Sequence, residues 1–401
     1  MLRRISLVLG AMVDYVVPLR WHMRRLAFVL GGLVLVVAIA CRGGDGESPP
    51  SPTPGETAVA IGFSTPEPTP TPFFTAPEDV PTITLDDIFG PAADRGLRLD
   101  PTKVRTLIAT GDVIPARNVN NQIIAHGNDF FYPLSATADI LRQADLTVTN
   151  LEAPLMEGCP PSEEGFTFCG QPGFAGALRE AGVDVATLEN NHIDNYGPEG
   201  VAATEALLTA NGIDYADCYT LAVRDVRGLR FGFLAFNGVG GSFDRELVRR
   251  RIEEADGQVD VLVVAFHWGK EYVTIPQADP GIAADDPVEI AHLAVDAGAD
   301  LVLGNHPHWV QGVEVYAGKL ITYAHGNFIA DQMWSYETTL GVIGRYIFYD
   351  SELVGVQFVP IRIEDYARPV PLEGGEAQAV LDGMHQASLS LQELLAARGN
   401  P

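Results

Sequence analysis

Residues that can bind metal ions follow several apolar segments of this sequence. Aspartate, glutamate, asparagine and histidine stand where these segments end, and each can offer an oxygen or nitrogen atom to a cation. The candidates are Asp112, Glu152, Asn191, His192, His267, His306 and His308. Because the carboxyl ends of strands in an open α/β sheet meet at one crevice, we expect these side chains to point into a single cleft.

The candidate set mixes nitrogen and oxygen donors. Imidazole suits zinc, iron or manganese, whereas carboxylates and an amide oxygen favour harder ions. A carboxylate that bridges two ions about 3.5–4 Å apart is the usual arrangement for hydrolysing phosphate esters. No cysteine joins the set, which argues against a structural zinc site. The sequence therefore predicts one or two divalent metal ions (zinc, manganese or iron).

The His306-Pro307-His308 segment is the most specific part of this pattern, because proline fixes the backbone between two imidazoles. Each candidate taken alone has a plainer explanation. An aspartate after a strand often caps a helix or forms a turn, and a histidine in an apolar segment can be a hydrogen-bonded core residue. The recurrence of such residues at the ends of separate segments favours one joint site.

Strands and helices that alternate along the chain must position these residues. The strand candidates are Val104–Thr110, Asp145–Thr149, Val183–Leu188, Arg230–Phe236, Val259–Phe266 and Asp300–Leu303. The helix candidates between them are Leu134–Gln143, Gly173–Ala181, Pro198–Asn211, Asp244–Ala255 and Pro287–Ala297. Near-continuous aliphatic strands that alternate with helices are typical of an α/β domain with buried sheets. From about Gly312 the pattern becomes β-rich, which predicts a second sheet or sheet half.

The composition excludes one class of partner. The chain has 401 residues and a formal net charge of -26. Such a surface repels phosphate backbones, so we expect no nucleic acid partner.

The N-terminal segment has the composition of an export signal. Two arginines precede Leu26–Ala40, an uncharged aliphatic run that is shorter than the roughly 20 residues of a membrane span. Small residues precede Cys41, as they do at the lipid-modified cysteine of bacterial lipoproteins. We predict a lipoprotein signal peptide over residues 1–41, lipidation at Cys41, and an extracytoplasmic domain anchored to the cell membrane. An uncleaved anchor is the alternative, and Met23 is a second candidate start.

The rest of the chain divides into three parts. Residues 42–98 are rich in proline and threonine and are expected to form a disordered tether. Residues 99–365 form the predicted α/β domain, and ordering is expected to begin near residue 100. Residues 366–401 form a tail in which Glu376–Arg398 is expected to be a peripheral helix.

Export makes a disulfide bond plausible. Cys159 and Cys169 lie ten residues apart and flank a loop rich in proline, glutamate and glycine. We predict that they form a disulfide that closes this loop. Cys218 would then be unpaired and buried.

Six short motifs, taken in their order along the chain, resemble those of the CapA family, which is named for a poly-gamma-glutamate capsule protein. The resemblance extends from about Val104 to Phe348. The motifs are, in order, Gly111-Asp112-Val113-Ile114, Asn150-Leu151-Glu152-Ala153-Pro154, Asn190-Asn191-His192-Ile193-Asp194, His267-Trp268-Gly269-Lys270-Glu271-Tyr272, Gly304-Asn305-His306-Pro307-His308 and Tyr323-Ala324-His325-Gly326-Asn327-Phe328. The family in turn resembles the calcineurin-like metallophosphatases, which implies an α/β/β/α sandwich of two sheets flanked by helices.

The resemblance also implies roles for individual residues. Asp112 and His308 would bind a first ion, Glu152 would bridge, and the second ion would be bound by Asn191, His267 and His306. His192, with Asp194, would be catalytic, His192 as the general acid. Arg117, Asn150 and Asn327 are candidate substrate-binding residues, although Arg117 can equally be a surface arginine.

Two residues depart from the metallophosphatase pattern. Ile114 stands where a histidine ligand is usual, and Glu152 stands where the bridging residue is usually aspartate. A single ion, or a weakly bound first ion, is therefore an alternative to a two-metal centre.

The resemblance implies a role with poly-gamma-glutamate or its phosphorylated precursor, alongside other capsule-synthesis membrane proteins. The favoured function is a metal-dependent hydrolase or transferase. A non-catalytic polymer-binding or assembly factor with a degenerate site is the alternative. A solute-binding lipoprotein fits the tether but does not explain the histidines.

Overall fold

The computed structural model describes residues 74–90 and 96–399. Within these residues the strands are β1 (Val104–Val113), β2 (Leu146–Leu151), β3 (Val185–Thr187), β4 (Asp214–Ala216), β5 (Ala222–Val226), β6 (Leu229–Asn237), β7 (Val261–His267), β8 (Leu301–Asn305), β9 (Val313–Tyr316), β10 (Lys319–Thr322), β11 (Asn327–Ile329), β12 (Leu340–Tyr349), β13 (Glu352–Glu364) and β14 (Arg368–Pro371). The α-helices are α1 (Leu85–Phe89), α2 (Asn118–Ala125), α3 (Ala138–Leu141), α4 (Gly173–Glu180), α5 (Gly197–Ala210), α6 (Arg245–Asp256), α7 (Pro287–Asp296) and α8 (Gly374–Arg398).

These strands form two mixed sheets. The first sheet has the order β14-β13-β12-β1-β2-β3-β4, and β11 also pairs with β1. The second sheet has the order β5-β6-β7-β8-β10-β9. Strands β1 to β4 are parallel in the first sheet, and β6, β7, β8 and β10 are parallel in the second. The predicted architecture of two sheets flanked by helices is confirmed.

Side chains that alternate along the central strands build a core on both faces of each sheet. In β7, Val261 and Val263 pack in the core between the sheets, where they join Leu107 of β1. Their neighbours Leu262 and Val264 face the other way and pack with residues of α6 and α7. Successive side chains of a strand point to opposite faces, so a strand covered on both faces is apolar throughout.

Two glycines allow neighbouring backbones to approach closely beside the predicted site. A Cβ atom at Gly111 would lie 1.9 Å from the carbonyl oxygen of Gly326, and one at Gly304 would lie 1.9 Å from that of Tyr323. No side chain fits in such a space. These contacts fix the ends of β1 and β8.

Ordered structure begins before residue 100, contrary to the prediction for the tether. Ile83 is 2% exposed and belongs to the core between the sheets. Phe89 of α1 stacks on Phe358 and on His385 of α8. The apolar residues of this short segment bury enough surface to hold it against the domain, although its composition resembles that of a linker. The C-terminal helix α8 is likewise packed, since its Met384 is 2% exposed.

The predicted central strands and the predicted C-terminal helix are confirmed, while shorter elements differ. The helix predicted over Leu134–Gln143 is reduced to α3, and α2 was not expected. Strands β4, β5, β11 and β14 were also not expected. Within the described residues no helix combines the length and the apolar character that crossing a bilayer requires. The predicted signal peptide and Cys41 lie outside the described residues.

Candidate metal centre

The candidate residues lie in one region, at the ends of parallel strands of the two sheets. Asp112 lies near the end of β1, and Glu152 directly follows β2. His267 ends β7 and pairs in register with Asn305 at the end of β8, so His306 lies beside it. The rings of His267 and His306 have centroids 4.9 Å apart.

Asp112, Glu152 and His267 form one group of donors that lie within 4.8 Å of one another. His267 Nε2 is 3.6 Å from Glu152 Oε1 and 2.8 Å from Asn191 Oδ1. The amide of Asn150 donates to Asp112 at 2.8 Å and to Glu152 at 3.3 Å. The structure thus brings together four of the predicted ligands, with Asn150 holding both carboxylates in place.

Glu271, His306 and His308 form a second group within the same distance limit. Glu271 Oε1 lies 4.0 Å from His306 Nε2 and 3.9 Å from His308 Nε2. The other ring nitrogen of His308, Nδ1, lies 3.1 Å from Asp112 Oδ2 and 3.0 Å from Asn327 Oδ1. The His306 ring lies between the two groups, with its centroid 4.9 Å from that of His267 and 5.9 Å from that of His308, so the implied set of Asn191, His267 and His306 stays a prediction.

Burial and neighbouring charges shift the pKa values of these groups in opposite directions. Burial and the nearby charge of Asp112 raise the pKa of Glu152 well above its usual value. Burial also acts on Asp112, but the hydrogen bond and charge of His308 outweigh it and lower the Asp112 pKa. Burial likewise opposes protonation of His308, yet the hydrogen bond to Asp112 and the charge of Glu152 raise its pKa to about 9. Burial lowers the pKa of His267 to about 4, and that of His306 falls well below its usual value.

Four buried nitrogen and oxygen atoms of this cluster have no hydrogen-bond partner among the described residues. They are the Oε1 oxygen of Glu152, the Nδ1 nitrogen of His267 and both ring nitrogens of His306. Leaving a buried polar atom unpaired costs about 1–3 kcal/mol, so such atoms usually mark a bound ligand or another function. Imidazole and carboxylate donors at these separations fit one or two divalent transition-metal ions.

His192 lies beside this cluster. Its ring is tilted over Phe168 with centroids 4.0 Å apart, and its Nδ1 lies 3.1 Å from Asn195 Oδ1. Because that oxygen also accepts from the Phe168 amide at 2.6 Å, His192 Nδ1 must carry the proton and Nε2 is left as an acceptor. Burial lowers the pKa of His192 to about 4, so the ring is neutral near pH 7. Asp194 is exposed and makes no side-chain hydrogen bond within the described residues.

The three predicted substrate-binding residues are all engaged by the protein. Arg117 is 8% exposed, pairs with Asp331 and covers the Phe168 ring at 4.8 Å. Asn150 holds the two carboxylates, as described above. Asn327 is 0% exposed and donates to the backbone carbonyl of Thr338 at 2.9 Å. Each is thus bonded within the protein, although Arg117 Nε has no hydrogen-bond partner among the described residues, and their role in substrate binding stays a prediction.

The structure joins Cys159 to Cys169 in a disulfide bond, and Cys218 is free and half-buried. Two further residues, Glu271 and Asn190, complete the cluster and were not predicted as site residues from the sequence. Glu271 lies in the segment that begins with His267. Asn190 donates to Asn150 Oδ1 at 3.2 Å and so orients the amide that bridges the carboxylates. The motifs contain both residues, but neither follows an apolar strand directly.

The chain is similar to known proteins in sequence and in structure. Residues 106–332 match the family model described as bacterial capsule synthesis protein PGA_cap. The chain is 27% identical over 288 residues to capsule biosynthesis protein CapA of Bacillus anthracis, covering 65% of this chain and 68% of that protein. It is 26% identical over 286 residues to PGA biosynthesis protein CapA of Bacillus subtilis strain 168, covering 66% and 72%. A hypothetical protein from Thermus thermophilus superimposes with a TM-score of 0.42 at 16% identity, covering 65% of this chain and 100% of that chain.

Proposed function

Because this chain belongs to the PGA_cap family of bacterial capsule synthesis proteins, we propose that it acts in the synthesis, export or anchoring of poly-gamma-glutamate. Within that process we propose that its domain is a metal-dependent hydrolase or transferase. Its substrate would be the anionic polymer or a phosphorylated precursor. The names of the two Bacillus relatives support the process, and the donor cluster supports the chemistry.

One observation carries the catalytic part of this proposal. Four buried donor atoms on Glu152, His267 and His306 have no hydrogen-bond partner among the described residues, and they lie where strands of both sheets end. A bound ligand can offset the free-energy cost of burying such atoms without hydrogen bonds. Perturbed carboxylates and imidazoles that converge in this way are the usual sign of a catalytic site.

A divalent ion held by these residues would act as a Lewis acid toward a phosphoryl or carbonyl oxygen and would supply a nucleophilic water near neutral pH. The chain's own residues do the rest. Asn150 and Asn190 orient the carboxylates of Asp112 and Glu152. His192 can exchange a proton at Nε2, because Asn195 fixes its Nδ1–H. His192 would thus accept at Nε2 a proton from the attacking water and pass that proton to the leaving group.

Charge explains why this function needs a cation. The cluster contains the carboxyl groups of Asp112, Glu152 and Glu271, and the raised pKa of Glu152 favours its neutral form. Its positive charge comes from His308, which the Asp112 carboxylate offsets, and Arg117 is already paired with Asp331. Bound divalent ions would add positive charge and attract an anionic polymer or phosphorylated precursor.

We further propose that the domain lies outside the cytoplasm, anchored through lipid at Cys41, where other capsule-synthesis membrane proteins are candidate partners. The supporting features are the apolar run Leu26–Ala40 and the disulfide between Cys159 and Cys169, which suits an oxidising compartment.

A binding or assembly factor that binds the polymer through metal without cleaving it is the second candidate. It is favoured by two placements. Asp194 is exposed and makes no side-chain hydrogen bond within the described residues, and Ile114, where a ligand is usual, is 0% exposed in the apolar core.

The test is a paired measurement of metal content and turnover on the purified full chain. Phosphoesters and poly-gamma-glutamate are the substrates, and the variant is His192→Ala. We expect the wild type to retain metal and turn over one of them. His192→Ala should retain the same metal and lose about 10²–10⁴ in rate. Metal without turnover would favour the binding factor, and no metal in the wild type would refute the metal centre.

A further inference from the structure

The loop after β7 holds Glu271 over the two histidines of the His306-Pro307-His308 segment. Gly269 and Tyr272 both adopt positive φ, 77° and 59°, which turns the chain sharply on each side of Glu271. The Tyr272 amide donates to the Pro307 carbonyl at 3.0 Å, so this loop is tied to the segment that it covers.

Strain is concentrated at the same place. His306 and His308 also have positive φ, 94° and 57°. Non-glycine residues rarely adopt this region and persist there only where the surrounding structure enforces it, often at functional sites. The backbone therefore bends on both sides of the gap, and both bends bring side chains toward it.

The separations across this gap match the spacing of ligands around an ion. Glu271 Oε1 lies 4.0 Å from His306 Nε2 and 3.9 Å from His308 Nε2. Two ligands that are each about 2.1 Å from an ion can be at most about 4.2 Å apart. A direct charge-assisted hydrogen bond would instead close to about 2.7–2.9 Å. The gap is thus wider than a direct hydrogen bond and leaves room for a cation between the three side chains.

His306 and His308 each have a ring nitrogen available to bind an ion on the side that faces Glu271. His306 is 1% exposed and neither of its ring nitrogens has a hydrogen-bond partner among the described residues. His308 is oriented by Asp112 and Asn327 at Nδ1, which leaves Nε2 facing Glu271. Carboxylate partners at the far nitrogen are typical of metal-ligating histidines.

We propose that Glu271 is a metal ligand and completes, with His306 and His308, an ion site next to the group of Asp112, Glu152 and His267. This inference rests on the proposed metal dependence and deepens it. Ile114 offers no donor, because its side chain is a hydrocarbon, and it packs in the apolar core. Glu271, on a different element, supplies a carboxylate ligand in place of the histidine that is absent there, which allows two ions to bind.

The experiment measures Zn²⁺ bound per chain, by elemental analysis, and Zn²⁺ affinity, by chelator competition, for the purified full chain and Glu271→Gln. Glutamine keeps the size of the side chain but is a poor ligand. We expect Glu271→Gln to bind one ion fewer, or to bind one ion about 100-fold more weakly, since even outer-shell changes cost 10–100-fold. Co²⁺ substituted for Zn²⁺ should show altered visible absorption in the variant, because one ligand of the ion has changed.

The matched control is Glu189→Gln. Glu189, Asp217 and Cys218 also place their donors within 4.8 Å of one another, but they share no residue with this cluster. The control should retain the wild-type stoichiometry, and thermal unfolding of all three proteins in EDTA should coincide. If Glu271→Gln binds every ion with wild-type affinity and an unchanged Co²⁺ spectrum, the Glu271 assignment is overturned while the metal-dependent function stands. A wild type that binds no ion overturns both.

Discussion

Replacing His306 with alanine should remove the stabilisation that metal gives to the fold. Both ring nitrogens of His306 are buried without a hydrogen-bond partner among the described residues. In the metal-free protein, the loss of these unpaired atoms opposes the loss of packing, so the free energy of unfolding should change little. In the presence of metal the variant should lack a gain that the wild type has.

The size of that gain follows from mass action. At a free metal concentration one hundred times the dissociation constant, one bound ion raises the free energy of unfolding by about 2.7 kcal/mol. The entropy of unfolding is about 2.1 cal/mol/K per residue, so for a folded part of roughly 320 residues this corresponds to a rise in Tm of about 4 °C.

Calorimetric unfolding in EDTA and in excess Zn²⁺ measures this difference, and His325→Ala is the matched control. His325 and His306 are both 1% exposed, but His325 Nε2 lies 2.8 Å from the Tyr346 hydroxyl. His325→Ala should therefore lower the Tm both in EDTA and in excess Zn²⁺, and Zn²⁺ should still raise its Tm as much as it raises that of the wild type. If Zn²⁺ raises the Tm of His306→Ala by the same amount, the assignment of His306 as a ligand is refuted.

Three further predictions concern the cysteines. Peptide mapping without reduction should recover Cys159 linked to Cys169, and reduction should lower the free energy of unfolding by about 2–3 kcal/mol; two free thiols in exported protein would contradict the bond. Burial and the hydrogen bond with Glu189 raise the pKa of Cys218 to about 12, so at pH 8 it should be alkylated more than about 100-fold more slowly than in urea, and equal rates would show that the thiol is accessible. The full chain should incorporate labelled fatty acid in a bacterial host and Cys41→Ser should not; identical labelling would exclude lipidation at this residue.

The position of the site could be predicted from the sequence because it follows from the geometry of parallel strands. Asp112, Glu152 and His267 each lie at or just after the end of an apolar run, and such ends converge whatever the loops do. The strands themselves are long and aliphatic, so they can be predicted as strands from the sequence. Strands of three to five residues, such as β4 and β11, carry too little periodicity to be distinguished from loops.

The partners of loop residues could not be predicted in the same way. Glu271 reaches the site only because the Tyr272 amide bonds to Pro307, a contact that no local pattern encodes. Arg117 follows the first motif and was a candidate for binding substrate. Its partner Asp331 lies more than two hundred residues along the chain, and their pairing depends on the complete first sheet. The roles of Glu271 and Arg117 therefore depend on contacts with residues that are distant in the sequence, which the spacing of motifs does not predict.

The donors of the metal centre come from both sheets, with Asp112 and Glu152 on the first and His267 and His306 on the second. A cation chelated across this boundary is a cross-link between parts of the chain that are far apart in sequence. Sheets that can open independently should then open together, so amide hydrogen exchange at β2 and at β8 should slow in parallel when the ion binds and diverge when it is removed. A bound metal ion would in this way couple the opening of one sheet to the opening of the other.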